Sequence, residues 1–229
     1  MSVLTILAYL PALKGGFVWD DTLALHENTL LKKPGGLWEI WTTHGRIPNE
    51  EHYWPAVYTM YWIEVHLWGF NAFAFHLINV LLHALNSILL WVVLRKMKLP
   101  GAWLAAVIFA VHPVHAESVA WVHERKDVLS ATFYFSAFLL FLEFRKRRRK
   151  TIITISMIFF ALAMWSKTVA VTLPIAMALW LWKGSQSTEK KDWLSLIPFL
   201  VVGAALALLD VYLTRQLSSY QPVEKAVAA

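Results

Sequence analysis

An all-α polytopic bundle of membrane-spanning helices is the fold class this sequence predicts, and three observations carry the prediction. Hydrophobic residues make up 58% of the 229, against 16% charged, a balance that belongs to membrane proteins. The apolar residues fall into runs comparable with the roughly 20 residues a helix needs to cross a bilayer. Between two of those runs lies RKRRRK at 145–150, which is how a solvated membrane flank reads.

Taken in order, the runs are 1–13, 72–94, 102–120, 128–144, 151–165, 168–182 and 193–213, seven candidate helices in one domain over 1–213, with a short tail at 214–229. The first begins at Met1 but lacks the basic start and small-residue cleavage site of a signal peptide, so it is read as a helix. SKT alone separates 151–165 from 168–182, which makes that pair either a tight hairpin or two segments that stop short of spanning. With a cytoplasmic amino terminus, the inside loops 95–101, 145–150 and 183–192 carry twelve of the 21 Lys and Arg. The outside loops, 14–71 and 112–127, then hold ten of the 15 acidic residues, from Asp20 and Asp21 through Glu64 to Asp127. Acidic chemistry therefore faces away from the cytoplasm.

Composition also excludes. Zero cysteines remove disulfides, thiolate nucleophiles and cysteine-containing zinc sites. No G-x-G-x-x-G, Walker loop or G-x-S-x-G elbow is present, and the net charge of +6 is concentrated at a membrane flank, so nucleic acid is not an expected partner. All nine histidines lie between His26 and His123. His76 and His83 stand seven apart on the second helix, as do Asn79 and Asn86, giving that helix a polar face for interhelical hydrogen bonds or for a ligand. Aromatic stretches such as LWEIW and HYWPAVYTMYW predict interfacial helices in the long outer loop, where Trp and Tyr contact membrane lipids.

GGFVWDD, YWPAVYTMYWIEVHLWGFNAFAFHLINVLLHALNSILLW, HPVHAESVAWVHERKDVLS and WSKTVAVTLP together resemble the membrane region of bacterial tetratricopeptide-repeat proteins. These are similar to the transmembrane O-mannosyltransferases that target cadherins, in the GT-C glycosyltransferase superfamily. The resemblance runs from Met1 to about residue 210 and implies a GT-C-type transferase of the bacterial inner membrane. Such an enzyme takes a sugar from a polyprenyl-phosphate carrier and passes it to an acceptor outside the cytoplasm, a protein hydroxyl in this family. No tetratricopeptide region follows here, and the family's membrane domain continues through further helices, so the chain reads as a truncated representative or a fragment.

That chemistry asks for a base, a cationic partner for the departing phosphate, and an apolar groove for the lipid. Asp20 or Asp21 matches the family's acidic motif and could take the acceptor's proton or hold a divalent cation, with Asp20 favoured as the base. On cap preference alone, Asp21 caps a helix beginning near Thr22. Arg125 and Lys126 in HERKD, with Lys167 in WSKT, are the phosphate candidates. Ion pairing of Arg125 with Glu124 and Asp127, or interfacial snorkelling, is the competing account. His112, His115 and Glu117 form HPVHAE, a candidate for acceptor orientation or metal ligation, against a plain turn at Pro113. The non-enzymatic alternatives are a lipid or solute transporter or flippase, since polar residues within helices also mark transport paths, and an inactive assembly partner.

Overall fold

Among the described residues, seven apolar helical segments fall close to the expected bounds. The computed structural model describes residues 1–42, 50, 52–183 and 188–220; Glu51 and the expected tail beyond 220 lie outside the described residues. α1 (Ser2–Tyr9) continues as a 3-10 turn, Leu10–Lys14, and leads into the long loop. That loop contains a π-helical turn (Thr22–His26), a 3-10 turn (Thr29–Lys32), α2 (Gly36–Thr42) and α3 (Pro55–Trp68), which are the expected loop helices. Then come α4 (Ala72–Lys96), α5 (Ala102–Val111), α6 (Ala116–Ala120), α7 (Arg125–Arg147), α8 (Lys150–Met164), α9 (Leu173–Trp182), α10 (Lys190–Leu194) and α11 (Ile197–Tyr220).

Among the described residues, three segments are long and apolar enough to cross a membrane, Ala72–Lys96, Arg125–Arg147 and Lys190–Gln216. α5 and α6, bent by 49° where Pro113 breaks the helix, make a fourth if they count as one span. Ser2–Lys14, Lys150–Met164 and Thr168–Trp182 are apolar but shorter. At about 1.5 Å per residue, an α-helix of their length falls short of a hydrocarbon core roughly 30 Å thick, so the seven expected spans resolve into full and partial ones.

Local signals set the boundaries. Pro55 opens α3 and Gly69, at φ +64°, closes it; the Asn71 side chain caps α4 by accepting from the Ala74 N–H. α7 and α8 pack through small residues, with Ser156 donating to the Ala137 carbonyl (2.7 Å) and Ser130 to that of Ala163 (3.1 Å). Around that seam Phe141, Phe160 and Phe199 are completely buried. The polar face of α4 is used for interhelical hydrogen bonding. Asn79 donates to the Trp121 carbonyl, Asn86 to that of Val128, and His83 Nε2 lies 3.2 Å from that of Ala110. Because Asn79 bonds Trp121, just before α7, and Asn86 bonds Val128 on it, α4 and α7 run parallel, and both start at the same end of the bundle.

That starting end collects Asp20, Asp21, Glu50, Glu124 and Asp127. The opposite end collects Arg145 and Arg148, which clamp Asp192 of α10 (3.0 and 2.6 Å), and Lys96, which pairs with Glu143 (2.9 Å). Single cysteines placed at exposed Glu117 and Arg149 of this cysteine-free chain are therefore expected to react with an impermeant thiol reagent from opposite sides of a sealed membrane. Labelling of both from the same side would contradict the helix order.

Candidate functional site

The site grows from the way α1 ends. Gly15 leaves so little room that a Cβ would sit 3.2 Å from His76 Nε2, whose ring lies 3.3 Å from the Gly16 carbonyl oxygen, so the chain turns tightly against α4. Trp19 then adopts φ +49°, a left-handed conformation uncommon for a bulky residue. The turn it makes sends the two aspartates in opposite directions. Asp21 is completely buried, while Asp20 is exposed.

Asp21 holds the turn together. One carboxylate oxygen accepts the Val18 N–H (3.0 Å) and the other the His123 N–H (2.7 Å), tying the first loop to the segment between α6 and α7. It occupies the cap position before Thr22 but accepts nothing from that helical turn, so capping is not its role. Burial raises its pKa, and the two backbone N–H groups pull back part of that rise. His123 moves the other way, its pKa lowered by burial and by the Lys126 charge, while Glu124 and Asp20 oppose the shift. The imidazole thus lies in the fields of both Asp20 and Lys126.

HERKD sends its two cations to different partners. Arg125 is completely buried, and all three of its nitrogens are engaged: Nη1 with Glu64, Nε with Asn79 Oδ1 (2.7 Å) and Nη2 with the Phe75 carbonyl (2.7 Å). Its guanidinium also faces the Tyr61 and Phe75 rings. This corrects the expectation that Arg125 presents a fork to a lipid phosphate, and equally the expectation that it pairs with Glu124 and Asp127. Glu64 on α3 is the partner because a buried guanidinium requires a carboxylate at hydrogen-bonding distance. Lys126 instead pairs with Glu124 (2.7 Å) and lies 4.6 Å from the centroid of the Trp54 ring. Lys167, in the turn after α8, bonds Asp127 and lies 3.7 Å from Glu124.

Two cavities meet at Asp127. One, about 190 Å³, is lined by Lys167, Ser130 and Tyr134 with Ala131, Phe135 and Val169. The other, about 260 Å³, is lined by His83, Asn86, His115 and Ser118, whose hydroxyl donates to Asp127 Oδ2 (2.9 Å). The His115 ring lies tilted against that of Phe109 (4.4 Å between centroids), whereas His112 and Glu117 are exposed and His112 Nδ1 accepts the Val114 N–H within the turn. HPVHAE is thus a bend in which one histidine faces a cavity. Among the described residues no three His, Asp or Glu side chains converge on one point.

Sequence reasoning missed several members of this end. Glu64 was read only as one of the loop's acids. Glu50, buried and accepting from Tyr58 Oη (2.8 Å), has its pKa raised by that burial, partly offset by the Tyr58 bond and by Lys126. Asp210, on α11, accepts from Thr168 (2.7 Å) and lies 3.8 Å from His52. A single acid within the apolar run 193–213 was the signal that could have found it.

The fold and this site define a multi-pass α-helical membrane protein with a cluster of acids, histidines and lysines at one end of the bundle. The chain belongs to the dolichyl-phosphate-mannose-protein mannosyltransferase family, whose model matches residues 52–213. It is 34% identical over 143 residues to the human protein O-mannosyl-transferase TMTC1, covering 58% of this chain and 16% of that protein. It is 33% identical over 156 residues to human TMTC4 (58% and 21%), and 26% identical over 188 residues to the Caenorhabditis elegans protein O-mannosyl-transferase F38B6.6 (77% and 26%). The chain therefore spans about a quarter or less of the length of these relatives. No solved structure matches it.

Proposed function

We propose that this chain is the membrane portion of a protein O-mannosyltransferase that moves a mannosyl group from a polyprenyl-phosphate carrier to a protein hydroxyl. The reaction takes place on the outer face of a bacterial inner membrane, with the arginine-rich end cytoplasmic. The observation that carries the reading is the division of labour between the paired aspartates. Asp21 is buried and spends both oxygens on backbone N–H groups, which holds Asp20 exposed beside His123. A free carboxylate on a pinned turn is what a general base requires.

In this scheme Asp20 takes the proton of the acceptor hydroxyl as its oxygen attacks the anomeric carbon. The bond from that carbon to the phosphate oxygen breaks, and the phosphate leaves with the electron pair. Lys167 is the cation best placed for the departing charge, because its partly exposed ammonium borders a cavity whose Ala131, Phe135 and Val169 walls suit an isoprenoid chain. Lys126 supports from the Glu124 side. The scheme draws on no divalent cation. The transport reading loses its main support, because the polar face of α4 is occupied by bonds to helix and loop carbonyls.

Purified protein is expected to transfer mannose from polyprenyl-phosphate mannose to a Ser/Thr-containing peptide, and Lys167→Met to raise the KM for that donor about tenfold with little change in peptide affinity. Transfer from a nucleotide sugar in place of the lipid donor would overturn the scheme.

A further inference from the structure

A row of aromatic rings crosses the acidic end. Trp19 meets Trp121 edge-on (5.2 Å between ring centroids), Trp121 lies 5.7 Å from His123, His123 6.5 Å from Trp54, and Trp54 stacks on His52 at 5.0 Å. Two adjacent members of the row, Trp121 and His123, each hold a buried ring nitrogen, Nε1 and Nδ1, with no hydrogen-bond partner among the described residues. Buried polar atoms in folded proteins are almost always paired, so two neighbouring exceptions need an explanation. Trp19, whose ring meets Trp121 edge-on, is 76% exposed and sits on backbone at φ +49°. Little burial holds that ring down, and its backbone conformation is a disfavoured one.

We infer that Trp121 Nε1 and His123 Nδ1 form a subsite for the backbone of the acceptor polypeptide, uncovered when Trp19 swings aside. The inference rests on the transferase reading, since it places the acceptor next to Asp20. An indole N–H only donates, and a neutral imidazole with its proton on Nε2 accepts at Nδ1, so the pair offers one donor and one acceptor. A peptide group presents the complementary C=O and N–H, whereas a phosphate diester presents acceptors alone. The nearby cations already have carboxylate partners: Lys126, over the Trp54 ring, pairs with Glu124, and Lys167 pairs with Asp127. Aromatic rings on either side give an extended chain a flat surface to lie against. Unpaired groups in a dry site also discriminate strongly, because a ligand that cannot satisfy them leaves them orphaned.

The test reads binding, not turnover. Fluorescence anisotropy of a labelled Ser/Thr-rich peptide is measured on the full-length protein in nanodiscs without donor, alongside the affinity for polyprenyl phosphate. Trp121→Phe and His123→Phe each keep an aromatic ring at the position and remove the ring nitrogens; each is expected to weaken peptide binding about tenfold and to leave polyprenyl phosphate binding within twofold. Trp19→Gly, which suits the positive φ and removes the cover, is expected to tighten peptide binding severalfold. Peptide affinity unchanged in a folded Trp121→Phe or His123→Phe variant, loss of lipid phosphate binding in its place, or a wild type that does not bind the peptide would each overturn the subsite. Peptide binding that depends on Trp121 in a protein unable to transfer mannose would sink the transferase reading and leave the subsite standing.

Discussion

Asp20→Asn is expected to lower mannosyl transfer by roughly two to four orders of magnitude, the range lost when a positioned general base can no longer take a proton. Asparagine keeps the shape of the side chain, and Asp20 is exposed, so expression and melting temperature are expected to stay close to wild type. Asp21→Asn is expected to behave differently. Both Asp21 oxygens accept backbone N–H groups, from Val18 and His123, and an amide nitrogen in either position faces a donor. Leaving one of those bonds unmade in a buried site costs about 1–3 kcal/mol, so this variant loses stability and activity together. Kinetics and thermal melting on the same preparations separate the two roles. Near-normal transfer by Asp20→Asn would remove the base from the proposal, and normal melting of Asp21→Asn would remove the pinning role.

Arg125→Ala carries the largest expected cost in stability. The substitution strands the Glu64 carboxylate, Asn79 Oδ1 and the Phe75 carbonyl in the interior where α3, α4 and α7 meet. Removing one partner of a buried ion pair costs about 3–5 kcal/mol, a large share of the roughly 5–15 kcal/mol that holds a typical fold together. Failure to elute as a monodisperse species in detergent is therefore expected, and Arg125→Lys should recover only part, since an ammonium lacks the planar fork that reaches three acceptors. The paired replacement Arg125→Met with Glu64→Leu should fold better than either single change, because it leaves no buried charge. A stable Arg125→Ala protein that has lost affinity for polyprenyl phosphate would restore the phosphate role and refute the buried network.

The helical segments were legible because their signal is local. An apolar run such as 72–94 or 193–213 has few stable forms in a bilayer other than a helix, and Asn71, Gly69 and Pro113 mark boundaries within one turn of themselves. The separation of Arg145–Lys150 from the acidic loops was legible for the same reason, since charge is counted along the chain. The carbonyls that Asn79, His83 and Asn86 would meet were not, because each belongs to a segment at least 27 residues away.

By itself the sequence determined an all-α membrane bundle with most of its acids on one side and most of its bases on the other, its family, and the presence of a paired aspartate just after the first helix. Only the tertiary structure decided what each charge does. Asp20 and Asp21 are neighbours with the same side chain, yet one is exposed and the other is buried against an N–H from a residue 102 positions on. Arg125 and Lys126 are neighbours too, yet one is enclosed by Glu64 while the other stands over Trp54. Burial and pairing arise from segments distant along the chain, and an ionisable group in a region of low dielectric is governed by whichever opposite charge or dipole those segments bring within about 3 Å.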